Sequence, residues 1–117
     1  MSKLNEVEER FAELFEAMSV EAHGIAVEKG WHEKPINDVE AFCLMHSEIS
    51  EALEAYRIGD PPDDKIDEFS GIEAELADLV IRVMDYSATK GFDVSGAIIA
   101  KMNYNKSRPY KHGGKKI

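Results

Sequence analysis

Two segments, LMHSEISEALEAYR at residues 44–57 and GIEAELADLVIRVMD at 71–85, decide the fold, because each has the period of a helix and carries acids where apolar side chains belong. At about 100° per residue, Glu48 and Glu51 share a sector with Leu44 and Ala55, flanked by Ala41 and Ala52. Both acids therefore border the core, whereas Glu54 and His46 point elsewhere. In the second segment Ile72, Leu76, Leu79, Val80, Ile81, Val83 and Met84 cover most of the circumference and leave one narrow polar stripe of Glu75, Asp78, Arg82, Asp85 and Thr89. A helix apolar nearly all round is a buried one. Ionised carboxylates enter an interior only when paired or bound to a metal, so Glu48, Glu51, Glu75 and Asp78 read together as a cation site.

Around these two helices the rest of the chain also reads as helical. Leu4, Val7, Phe11, Leu14, Met18, Ala22 and Ile25 recur at three- and four-residue steps, widened by Phe15 and Ala26, which predicts a first helix over roughly 3–29 that stops near Gly30. Its acids Glu6, Glu9, Glu13 and Glu16 form a solvated face. KGWHEKPIND at 29–38 is a connection that holds the only tryptophan, Trp31, beside His32. Helix two starts at Asn37, with Glu40 at capping-box spacing, and ends at Gly59. Its core face is Phe42, Met45, Ile49, Ala52, Leu53 and Tyr56.

Pro61 and Pro62 make DPPDDKIDEF at 60–69 a loop. Helix three opens on a Ser70/Glu73 capping box, runs to Ala88 and stops at Gly91; Asp93 caps a fourth helix that reaches about Asn105. Pro109 and the paired Gly113/Gly114 then end regular structure. With no useful strand signal and no internal repeat, the class is all-α, a helical bundle in a single domain over 1–117 with a basic tail at 106–117.

The 117 residues carry a net charge of −9, placed unevenly: residues 1–100 hold 8 basic and 23 acidic side chains, residues 101–117 hold 6 basic and none acidic. An acidic body argues against broad binding to nucleic acid, and no stable nucleic-acid partner is expected. Cys43, the only cysteine, excludes an intrachain disulfide framework and reads as a buried inert thiol in a reducing compartment. No run has the length and apolarity of a membrane span, and MSKLNEVEERF lacks a signal-peptide core. A cytoplasmic protein with no membrane partner is expected.

Two residues three apart on a helix project side by side, so two such pairs on facing helices surround a point with carboxylate oxygens. All-oxygen ligation suits Mg²⁺, or alternatively Mn²⁺, rather than zinc or copper. A di-iron bundle requires Glu-x-x-His, and none of His23, His32, His46 or His112 follows a Glu by three. The competing explanation is a buried ion-pair ladder of Glu75, Asp78, Arg82 and Asp85, which leaves Glu48 and Glu51 without a basic neighbour on their own helix before Arg57. If the last helix continues that far, Lys101, Asn105 and Arg108 fall on one face suited to phosphate oxygens; the alternative is a solvated basic tail. Lys111, His112 and Lys115 around the paired glycines either close over a polyphosphate or form a mobile tail. Trp31 either plugs the end of the core or stacks on a planar ligand such as a nucleobase, with His32 beside it.

In SEISEALEA, EAELADLVIRVMD and KMNYNKSRPYKHGGK, taken in that order, the chain resembles the MazG-like branch of the all-α nucleoside triphosphate pyrophosphohydrolases over 42–115. One departure is Ser47, where many members carry a further Glu. The resemblance implies a four-helix bundle of that type completed by homo-oligomerisation, as a homodimer or a tetramer built as a dimer of dimers. It implies hydrolysis of a (d)NTP between the α and β phosphates to a monophosphate and pyrophosphate, in the service of nucleotide-pool house-cleaning. Mg²⁺ would be held by Glu48, Glu51, Glu75 and Asp78. A water would attack the α-phosphorus with Glu51 taking its proton, while Lys101 and Arg108 stabilise the leaving pyrophosphate. Trp31, His32, Lys101, Asn105, Arg108, Lys111 and His112 would bind substrate. The alternative is a non-catalytic oligomeric helical adaptor with a buried acidic ion-pair cluster.

Overall fold

The computed structural model describes residues 3–110. Its four helices are α1 (Glu6–Glu28), α2 (Asp38–Arg57), α3 (Gly71–Lys90) and α4 (Val94–Ser107), and among the described residues there is no strand beyond a single bridge between Pro62 and Ser70. The architecture is all-helical, as the sequence pattern predicts.

Each helix begins where a short polar side chain can satisfy the orphan N–H groups of the first turn. Asn37 accepts from Glu40 N at 3.0 Å, and Ser70 with Glu73 forms a reciprocal capping box. Asp93 accepts from Gly96 N at 2.9 Å. The first helix starts three residues later than its apolar stripe predicts because Asn5 and Glu8 build a capping box there. Leu4 thus lies outside the helix. Gly91 ends α3 with φ of 70°, a left-handed conformation that glycine adopts without steric cost.

Helices α2 and α3 form an antiparallel hairpin. At one end a Cβ on Gly71 would meet the Cβ of Ala55 at 3.0 Å, so the start of α3 lies close against the end of α2. At the other end Tyr86 Oη donates to Asp38 Oδ1 at 3.0 Å, and Lys90 Nζ lies 3.2 Å from the same oxygen. The loop between them is pinned by Asp60, whose Oδ1 accepts from Ile72 N and whose φ is 52°. Its other acids behave as a turn: Asp63 Oδ2 accepts from Lys65 N and Ile66 N.

The central element is α3, with α2 on one side and α1 on the other, while α4 packs on α1. The amide of Asn103 on α4 donates to Glu8 Oε2 at the start of α1. Among the described residues the only buried apolar side chains are Ala74 and Ile99, and neither is fully enclosed. The predicted core faces are thus largely open in one chain: Phe42, Ile49, Leu53 and Tyr56 of α2 are exposed, as are Leu14 and Met18 of α1 and Val80 and Ile81 of α3. Cys43 is exposed as well, contrary to the buried thiol expected from its apolar neighbours. Successive helical residues point about 100° apart, so Phe42 and Leu44 do not fix the face on which Cys43 stands.

Candidate functional site

The seam between α2 and α3 carries the carboxylates that the helical period places there. Glu48 is 5% exposed, Glu75 is half-buried and Glu51 is exposed at the rim; one ligand oxygen from each lies within 4.8 Å of the others. The close approach follows from the antiparallel hairpin, which sets the middle of α2 against the first turns of α3.

Electrostatics here are unfavourable without a cation. With every acid ionised, Glu48 Oε2 and Glu75 Oε2 are both buried and have no donor to pair with. Loss of solvent, reinforced by the neighbouring Glu51 and Glu48 carboxyls, pushes the Glu75 carboxyl up to about 8. At neutral pH Glu75 therefore tends to hold a proton between its acidic neighbours. A divalent cation would remove both strains at once, by pairing the orphan oxygens and by favouring the ionised form. The residues present fit such an ion, and three hard oxygen donors match Mg²⁺ or Mn²⁺ in donor type.

Asp78 stands apart from this group. It is exposed and is not among the three clustered acids. Loss of solvent around its carboxyl nevertheless holds it above the ordinary Asp range, with Arg82 acting in the opposite direction. Arg82 itself does not make the ladder with Asp78 considered from sequence. Its Nε donates to Glu48 Oε1 at 3.1 Å, across the seam. Glu48 has the basic partner that its own helix lacks, supplied by α3.

From Arg82 onward along α3, a cleft of about 560 Å³ opens between the α1–α2 connection, α2 and α3. Its walls include Trp31, His32, Leu44, Met45, Arg82 and Asp85. Trp31 is 72% exposed, so it lines the cleft and does not plug the core. His32 is fixed by Asp85: its Nε2 lies 2.9 and 3.0 Å from the two carboxylate oxygens. His23 of α1 joins them, with Nδ1 2.9 Å from Asp85 Oδ1 and the two imidazole rings edge to face at 4.7 Å. Neither His23 nor Asp85 is a site residue by sequence reasoning. The one available signal was the place of Asp85 on the polar stripe of an otherwise apolar helix.

The basic residues expected to meet phosphate are not part of this cleft. Lys101 and Arg108 lie over the Tyr104 ring at 5.9 and 5.6 Å, at the far end of α4, and no residue of α4 lines the cleft. Helix α4 ends at Ser107, so Asn105 is helical and Arg108 is already extended. Lys111 and His112 lie outside the described residues. The structure thus brings Glu48, Glu51 and Glu75 together and sets Trp31 and His32 in an adjoining cleft. It leaves Asp78, Lys101, Asn105 and Arg108 outside both groups. No protein-family model, curated protein or solved structure matches the chain.

Proposed function

We propose that the protein is a Mg²⁺-dependent nucleotide pyrophosphohydrolase that cleaves a (d)NTP to a monophosphate and pyrophosphate. The observation that supports this reading most is the pair of buried, partnerless oxygens on Glu48 and Glu75, beside Glu51 and next to a cleft large enough for a small ligand. Helical structure alone does not call for such a group. The order and spacing of the acidic motifs support the choice of reaction.

Glu48, Glu51 and Glu75 would hold the ion, with Asp78 at the edge of the group. The ion would supply positive charge to neutralise the polyphosphate and lower the cost of charge building on its oxygens. The chain's own residues do the rest. Trp31 stacks on the base in the cleft, and His32, oriented by Asp85, borders it. Glu51, the most exposed acid of the three, would take the proton of the attacking water. Lys101, Asn105 and Arg108 reach phosphate only if a second copy brings α4 across the seam. That requirement agrees with the open apolar faces of α1 and α2, and we assign the working form as a homodimer or a tetramer built from dimers. Removal of unwanted nucleotides in the cytoplasm is the role this reaction fits.

A second reading, a non-catalytic oligomeric helical adaptor, draws on the Arg82–Glu48 ion pair, which partly neutralises the acids without a metal. Product analysis on a panel of ordinary NTPs and dNTPs, with Mg²⁺ and with excess EDTA, separates the two. Metal-dependent release of monophosphate and pyrophosphate is expected. Absence of turnover together with melting that does not respond to Mg²⁺ would favour the adaptor.

A further inference from the structure

We propose a second, chemically different metal site: His23 Nδ1, His32 Nε2 and the Asp85 carboxylate bind one first-row transition-metal ion, with Zn²⁺ the best match. The proposal does not rest on the reaction assigned above. The three residues come from α1, the α1–α2 connection and α3, with Asp85 62 positions from His23 and 53 from His32, and their ligand atoms converge to within 4.8 Å of one another. Two imidazole nitrogens and one carboxylate are the donor set of open zinc and related sites, whereas Mg²⁺ prefers oxygen throughout.

The spacing is close to what an ion needs. Nε2 of His32 and Nδ1 of His23 each lie 2.9 Å from Asp85 Oδ1. Donors around a tetrahedral zinc with bonds of about 2.0–2.1 Å stand about 3.4 Å apart, so each histidine nitrogen need recede from Asp85 Oδ1 by only about half an ångström. The side chains of His32, Asp85 and His23 are 13%, 21% and 33% exposed, which leaves an approach from solvent for the ion and for a fourth ligand. His32 and Asp85 also line the cleft. Thr89 completes the setting. Its hydroxyl donates to the Asp85 carbonyl at 2.8 Å, and its oxygen lies 3.1 Å from His23 Nδ1, where a lone pair can accept from a water on the ion.

This site is separate from the three glutamates. Arg82 stands between the two along α3 and directs its guanidinium to Glu48. The opposing interpretation is a hydrogen-bonded latch, in which both histidines donate to Asp85 and merely fasten the α1–α2 connection to α3. A latch needs no metal and gains nothing from one.

The test is a titration of EDTA-treated, dialysed full-length protein with Co²⁺, read by the visible absorption of tetrahedral cobalt, followed by displacement with Zn²⁺ measured by calorimetry. With excess Mg²⁺ present to fill the glutamate site, one tetrahedral Co²⁺ per chain is expected, displaced by Zn²⁺. His23→Ala and the isosteric Asp85→Asn should each weaken Zn²⁺ binding by about 100-fold, and Thr89→Val by about tenfold. Glu75→Gln should leave it unchanged, and circular dichroism would verify that each variant is folded. Absence of the cobalt band in the wild type, or Zn²⁺ binding that survives Asp85→Asn, overturns the proposal and leaves the latch.

Discussion

Arg82 on α3 donates from Nε to Oε1 of Glu48 on α2 at 3.1 Å, and among the described residues this is the one ion pair made to the acids of the seam. It satisfies one Glu48 oxygen and leaves the other without a partner. The seam is therefore only partly neutralised.

Removing the guanidinium should expose that imbalance. Breaking a buried ion pair costs about 3–5 kcal/mol, but the Arg82 side chain is 35% exposed, and solvent screening lowers the expectation to about 2 kcal/mol. Urea melts of Arg82→Met in EDTA should show that loss, and saturating Mg²⁺ should recover a good part of it. A loss unaffected by Mg²⁺ would mean that Arg82 acts through packing alone.

Stability of the metal-free protein should fall as pH rises. The Glu75 carboxyl is raised from 4.5 to about 8, so between these values the folded chain binds more protons than the unfolded one. Its contribution is fully present below pH 4.5 and is lost by about pH 8; the raised Asp78 carboxyl has the same sign. Thermal melts in EDTA from pH 5 to pH 8 should show a declining midpoint. Glu75→Gln should flatten the decline, and an unchanged slope in that variant would remove Glu75 as its source.

Turnover should depend on the clustered acids more than on Asp78. With Mg²⁺ present, Glu48→Gln and Glu75→Gln should each reduce monophosphate formation by about 100-fold or more, a loss of the size seen when an electrostatic group at a reacting centre is removed. Asp78→Asn, at an exposed position outside the cluster, should cost less. Steady-state rates from verified folded variants decide this, and full activity in Glu48→Gln would end the hydrolase assignment.

Base recognition should reside in Trp31. Its ring lines the cleft at 72% exposure, so Trp31→Ala should raise KM by about tenfold with little change in melting temperature. KM values in Trp31→Ala unchanged from the wild type across several nucleotides would place the base elsewhere.

Self-association should account for the open apolar faces. Leu14 of α1 and Leu53 of α2 are 66% and 59% exposed in one chain of 13.1 kDa. Sedimentation velocity should give a multiple of that mass, and Leu14→Glu or Leu53→Glu should shift the distribution toward the monomer because a charge is costly to bury at an apolar contact. A wild-type monomer at all concentrations would exclude the assembled site.

The sequence by itself determined the four helices, most of their caps and the two acidic pairs, because these depend on local period and on side chains three residues apart. Ser70 with Glu73, Asn37, Asp93 and Gly91 occupy the roles their spacing predicts. Helical period also brought Glu48 to the core border. Tertiary structure alone decided which charges meet: Arg82 could have turned to Asp78 on its own helix, yet the antiparallel docking of α2 on α3 gives it Glu48. It likewise gathered His23, His32 and Asp85 from three separate segments, a meeting that no periodicity within one segment encodes. Exposure of the apolar stripes was undecided for the same reason. Period shows which face of a helix is apolar, and only the packing of other helices determines what covers it.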